Sequence, residues 1–206
     1  MNDPTPPNDP DEPTAPPSPP DPAENPLAEA EPPLHRQPWI RFAVAFSVIV
    51  TTLELLYHGI ALESMAFYTF LSGLAQATGF VLEPFYERVS VTGARVSTNQ
   101  FVVTVDYGCD GLQVCTLLTS AVLAFPSTWK QKFIGIVAGN LWLQCWNVLR
   151  IVTLVVIGGI ERSWFHPTHV YIWPTILIAL CLATWMTWAR WTMPDDDGDP
   201  ELQPAA

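Results

Sequence analysis

The chain has 206 residues, of which 49% are hydrophobic and 14% charged, with 20 Asp and Glu against 9 Lys and Arg. So few cations exclude a nucleic-acid binder, because phosphate contact needs clustered Lys and Arg. The formal net charge of -11 comes mostly from the two ends, before Pro33 and after Met193; between them the apolar residues fall into long runs, which is a membrane composition.

Residues 1–35 are dense in Pro, Asp, Glu, Ser and Ala with no apolar periodicity. Such a segment buries too little surface to offset its ordering entropy, so a disordered cytoplasmic tail is expected. It lacks the basic start and short apolar core of a signal peptide. Residues 193–206 read as a second acidic tail.

Residues 39–57, WIRFAVAFSVIVTTLELLY, are almost wholly apolar; at 1.5 Å per residue they reach roughly 28 Å, enough for a first span. Arg36, Trp39 and Arg41 mark its cytoplasmic end, and Glu54 is expected to reach the opposite interface. Residues 61–82 are apolar but interrupted by Ser72, Gln76, Thr78 and two glycines. The loop FPSTWKQK carries Lys130 and Lys132 and should be cytoplasmic; an extra crossing before it would reverse that. Residues 61–82 are therefore read as an interfacial helix on the outer side.

From residue 89 the apolar positions alternate: Val89, Val91, Val96, Phe101, Val103 and Val105. Period two with turn residues between predicts a small antiparallel β-meander, so residues 61–108 form an extracytoplasmic cap. Further spans are expected at 109–125, 133–158 and 170–191, the last bent by Pro174. The fold class is thus all-α membrane protein, with four transmembrane helices, an interfacial helix and a small meander. Residues 36–192 form the membrane-embedded domain.

Three groups stand out on this topology. Cys109 opens the second span, His169 opens the fourth, and Arg150 is the only charge between Phe133 and Ile160. Such a charge is costly in hydrocarbon, which makes it a functional-site candidate. Counting along the helices puts all three at one outer depth. A thiol attacks carbonyl carbon as thiolate and needs a base, a role open to His169; the planar fork of Arg150 suits an oxyanion or a substrate carbonyl.

Asn140, Gln144, Asn147 and Arg150 recur at helical spacing and form a polar stripe, matched by Cys109, Gln113 and Thr116 on the second helix. Asn140 and Gln144 are read as interhelical hydrogen-bonding residues, while Asn147, Gln113 and Tyr171 are assigned supporting or substrate-binding roles. Cys115, Cys145 and Cys181 show no CxxC spacing and are read as small packing residues. His166 and His169 flank Pro167, which argues against a regular helix there; His166 is read as a loop residue. With no further fixed ligand, no metal and no cofactor are expected.

The runs CDGLQ, FPSTWKQK, NVLRIVTL and HVYIW resemble the exosortase and archaeosortase family, most closely its exosortase H branch, over residues 40–191. The resemblance implies a membrane-embedded cysteine protease or transpeptidase that processes carboxyl-terminal sorting signals, with Cys109 as nucleophile and Arg150 and His169 as its partners. The implied substrates are exported proteins ending in a short motif of the IPTLxxWG type, a transmembrane anchor and a basic tail. They would be met on the outer side of a bacterial inner membrane. Asp110 departs from the family, where a small neutral residue or Asn is common, and a carboxylate there is expected to disfavour thiolate. The competing class is a non-enzymatic assembly factor or transporter subunit, in which Arg150 binds an anion or a partner's carboxylate.

Overall fold

The structure, a computed structural model, describes residues 37–61 and 64–193; the expected tails, 1–35 and, beyond Met193, 193–206, lie outside these. Helix α1 spans Pro38–Leu56 and runs on through a π-helical turn, Tyr57–Ala61. Helix α2, Met65–Leu82, starts at Ser64, whose side chain accepts the N–H of Phe67. Three short strands follow, β1 (Val89–Thr92), β2 (Arg95–Thr98) and β3 (Val102–Thr104). Helix α3 is Leu112–Ala124, α4 is Trp129–Ile160, α5 is Arg162–Pro167 and α6 is Trp173–Thr192.

The expected meander is present, antiparallel in the order β1-β2-β3. Val91 faces Val96, and Val96 faces Val103, so the alternating valines share one buried face while Arg95 and Thr104 stay exposed. Helix α2 covers that face. At Gly79 the approach is so close that a β-carbon would meet Val91 Cγ2 at 2.5 Å. The apolar core that results joins α2, the sheet and α4 through Leu71, Leu82, Val96, Val105, Ile151 and Val155. A second core joins α3, α4 and α6 through Leu118, Leu143, Leu154 and Leu177. Cys115 and Cys181 pack there as expected, whereas Cys145 is exposed.

Among the described residues four helices are long and apolar enough to cross a membrane: Pro38–Gly59, Met65–Phe85, Trp129–Ile160 and Arg162–Thr192. That is the pattern of a multi-pass membrane protein. It differs from the expected set at two places. The span expected at 109–125 is only the 13-residue α3, about 20 Å long against a hydrocarbon core of about 30 Å. Gly108 (φ 82) and Gly111 (φ 73) take left-handed conformations, through which no helix continues, so α3 begins after Cys109 instead of at it. Helix α1, α4 and α6 all pack on α3, which is how a short helix remains enclosed. Conversely, the segment expected to lie at the interface forms α2, whose 18 residues are enough by length for a crossing.

The third expected span begins earlier, at Trp129, because Thr128 and Gln131 form a capping box. His166 is not in a loop; it lies in α5, which starts where the Glu161 carboxylate accepts the Ser163 N–H. Pro167 has no N–H to donate, and after it the chain enters a π-helical segment, Thr168–Ile172, in which the Trp173 N–H reaches back to the Thr168 carbonyl. Chain 162–192 is therefore one long apolar helix with a π turn in it.

Candidate active site

The loop between β3 and α3 carries Cys109, and its shape is dictated from α4. Gln144, Asn147 and Arg150 are spaced by three residues, so they stand on one helix face. Arg150 Nη1 donates to the Gly108 carbonyl at 3.1 Å, Asn147 Nδ2 to the Cys109 carbonyl at 3.0 Å, and Gln144 Nε2 to the Asp110 carbonyl at 3.1 Å. One helix thus holds three consecutive loop carbonyls, one side chain to each. Asn140, at the other end of the stripe, donates to the Thr119 hydroxyl at 3.0 Å and is the interhelical bond expected of it. Gln144 does more than that, since its partner is the loop that carries Cys109.

The loop is held from its other side by Asp110, whose side chain is fully buried. One carboxylate oxygen accepts the Leu112 N–H at 2.8 Å; the other accepts the Tyr57 hydroxyl from the end of α1. This carboxylate anchors the first turn of α3. The bond joins residues 53 apart in sequence, and nothing in the local pattern marks it.

Cys109, Arg150 and His169, read separately from three helices, meet. The Cys109 sulfur lies 3.7 Å from both ring nitrogens of His169, and Arg150 Nη2 lies 3.3 Å from Nδ1 of the same ring. Because a guanidinium only donates, Nδ1 accepts in that contact, which puts the proton of a neutral ring on Nε2. Phe165, one turn before His169, stacks on the imidazole with centroids 5.8 Å apart and planes 8° from parallel. Cys109 is 9% exposed and Arg150 4%, so the charge is carried in a nearly dry site. Arg150 Nε is buried there without a hydrogen-bond partner.

Burial pushes the Cys109 thiol up from its ordinary value. The Arg150 guanidinium and a backbone hydrogen bond at Asp106 act against that rise, and the carboxylates of Asp110 and Asp106 add to it. The expectation that Asp110 opposes ionisation therefore holds in sign, but burial is the larger cause. The resting sulfur is a protonated thiol that needs a proton acceptor.

The supporting residues divide. Gln113 lines a cavity of about 140 Å³ with Gly108, Gly111, Arg150, Pro174 and Ile178, and its amide donates to the Tyr107 hydroxyl at 3.2 Å. Tyr171 is 65% exposed and shares no hydrogen bond with the three groups. His58 and Glu54 belong to the surroundings of the site as well: His58 Nε2 is 2.8 Å from the Tyr107 hydroxyl, and Glu54 accepts from the Thr116 hydroxyl at 2.6 Å. Glu54, expected to end in the interface, is thus tied to α3. Among the described residues no three His, Cys, Asp or Glu side chains are grouped as a metal ion would require.

A thiol, an imidazole and a guanidinium in contact, on a loop held by its own carbonyls, define a site able to perform nucleophilic acyl chemistry. No family model, curated protein or solved structure matches the chain, so the functional reading rests on this geometry and on the motifs quoted above.

Proposed function

We propose that this chain is a membrane-embedded cysteine peptidase and transpeptidase of the exosortase kind, acting on the carboxyl-terminal sorting signals of exported, membrane-anchored proteins. The observation that supports it best is the contact of Cys109 Sγ with the His169 ring, 3.7 Å away, beside the buried fork of Arg150. In this reading the substrate carbonyl docks against Arg150, which leaves Nδ1 of His169 and turns to the developing oxyanion. Freed of that donor, the imidazole takes the Cys109 proton as sulfur bonds to the carbonyl carbon. Collapse breaks the C–N bond, and the imidazolium proton goes to the leaving amine of the anchor fragment. Water or an acceptor amine then attacks the thioester, and Cys109 recovers its proton.

The sheet supports a cap outside the hydrocarbon. Its open edges carry unpaired backbone groups, and Ser90, Thr92 and Arg95 are exposed on it; such edges do not occur in hydrocarbon facing lipid. With Lys130 and Lys132 inside, this cap of sheet and α2 faces the outer side of a bacterial inner membrane. The bilayer and an anchored exported protein are its partners; no nucleic acid and no cofactor are involved.

The deciding experiment co-expresses an exported reporter ending in an IPTL-type motif, an apolar helix and a basic tail. Cys109→Ala should accumulate the anchored reporter, while Cys115→Ala, Cys145→Ala and Cys181→Ala process it. Acid quenching should leave the reporter fragment on the Cys109 peptide by mass spectrometry, releasable by hydroxylamine. Full processing by Cys109→Ala would sink the peptidase reading and favour a non-enzymatic assembly role.

A further inference from the structure

Cys109 is presented by a four-residue turn. Its N–H donates to the Asp106 carbonyl at 2.8 Å, and Gly108, third in the turn, has φ 82, the left-handed conformation that such turns reserve for glycine. Tyr107 is the second residue, so its side chain is a handle on the turn. Two consecutive residues at the end of α1 take hold of it. The Tyr107 ring stacks on Tyr57, with centroids 5.8 Å apart and planes 26° from parallel, and the His58 ring stands edge-on to it at 5.4 Å. Tyr57 and His58 thereby reach both flanks of Cys109: Tyr57 donates to Asp110 on one side, and His58 meets the Tyr107 hydroxyl on the other.

The direction of these hydrogen bonds follows from their chemistry. A backbone carbonyl only accepts, so the His58 Nδ1, 2.8 Å from the Glu54 carbonyl, carries a proton. In the neutral ring Nε2 is then the acceptor of the Tyr107 hydroxyl at 2.8 Å. The same hydroxyl oxygen accepts from the Gln113 amide at 3.2 Å, so it is oriented by an acceptor on α1 and a donor on α3. Docking α1 on α3 does not call for this arrangement, because Glu54 and Thr116 already join the two helices at 2.6 Å. The His58 bond goes to the turn instead. The grip from α4 acts on the carbonyls of Gly108, Cys109 and Asp110, and the grip on Tyr107 comes from α1 and α3.

We infer that His58 is a positioning residue: through the Tyr107 hydroxyl it fixes the turn that sets Cys109 against His169. The step it serves rests on the peptidase reading, whereas its hold on the turn can be measured without turnover.

The test compares His58→Leu, Tyr107→Phe and His58→Gln in the full chain. It reads reporter kinetics, melting temperature and, in a background lacking Cys115, Cys145 and Cys181, the iodoacetamide rate at Cys109. His58→Leu removes the acceptor, and Tyr107→Phe removes the hydroxyl while keeping the ring on Tyr57. Each should lower kcat about tenfold or more with KM within about twofold, because a misplaced nucleophile slows the chemical step. Each should also raise the alkylation rate about threefold or more, since Cys109 is only 9% exposed and a loosened turn uncovers it. The two combined should lose no more than either alone, and His58→Gln, which restores an acceptor, should recover kcat to within about threefold of native. Native kcat in His58→Leu, unchanged alkylation, additive losses, or a loss that follows melting temperature and is not restored by His58→Gln would overturn the inference. If the native chain processes no reporter, the peptidase reading falls, and the alkylation rates alone decide the positioning.

Discussion

A β-carbon on Gly111 would stand 2.8 Å from Cγ of Asn147, the side chain that donates to the Cys109 carbonyl. Gly111 also has φ 73, so Gly111→Ala meets both backbone strain and a clash that releases the nucleophile loop. It should cost about 1–3 kcal/mol in stability and remove activity. Gly108→Ala is the control: its φ is 82 but nothing lies within 4 Å of the added atom, so it should cost about 1 kcal/mol and act through strain alone. Thermal melts in detergent, with reporter processing, separate the two; equal loss of activity at matched stability would contradict the Asn147 clash.

Arg150 reaches the Gly108 carbonyl with one terminal nitrogen and His169 with the other, at 3.1 and 3.3 Å. A lysine has one nitrogen and cannot do both. Arg150→Lys should therefore lower kcat on the reporter by about a hundredfold or more, near the loss seen when a preorganised donor is removed. Retained activity would mean that charge alone suffices.

The raised thiol of Cys109 predicts a pH dependence. In a background lacking Cys115, Cys145 and Cys181, iodoacetamide should alkylate Cys109 slowly at neutral pH, and the rise in rate should come only above the ordinary thiol value of about 8.5. Arg150 pulls the thiol down, so Arg150→Met should move the rise to higher pH. Movement to lower pH would show that its guanidinium does not stabilise the thiolate.

Tyr57 and Asp110 offer a structural prediction. Asp110→Ala removes the acceptor of both the Tyr57 hydroxyl and the Leu112 N–H, leaving two donors unpaired, and should destabilise by about 2–4 kcal/mol. Asp110→Asn keeps an acceptor for Leu112 and should cost less than half of that. The ranking is read from melting temperatures, and equal losses would remove the anchoring role from the Leu112 bond.

The three central groups were legible because each breaks a local rule: a charge within an apolar run, and a thiol and an imidazole at the starts of others. The meander was legible from valines at alternate positions. The carbonyl grip of Gln144 and Asn147 showed only as a polar stripe, since a stripe names a face and not its partner. Tyr57 carried no signal at all, being one aromatic at the end of an apolar segment, with its bond to Asp110 formed across 53 residues. The start of α3 was missed by three residues because glycine at Gly111 reads equally as a turn or as a tolerated helix position, and only its φ of 73 separates them.

The π turn at Thr168–Ile172 makes chain length itself a variable at this site. A π turn is one residue wider than an α turn and is removed by a single deletion. Deleting Val170 would turn this segment into unbroken α-helix from α5 to α6 with both keeping their phase, because the wider turn is what absorbs the extra residue. His169 lies inside the turn, so the imidazole would be re-aimed off Cys109 while Trp173, Leu177 and Cys181 kept their places in the core. A chain one residue shorter would fold, insert and melt normally yet be silent, and a compensating insertion before Trp173 would bring the ring back into step.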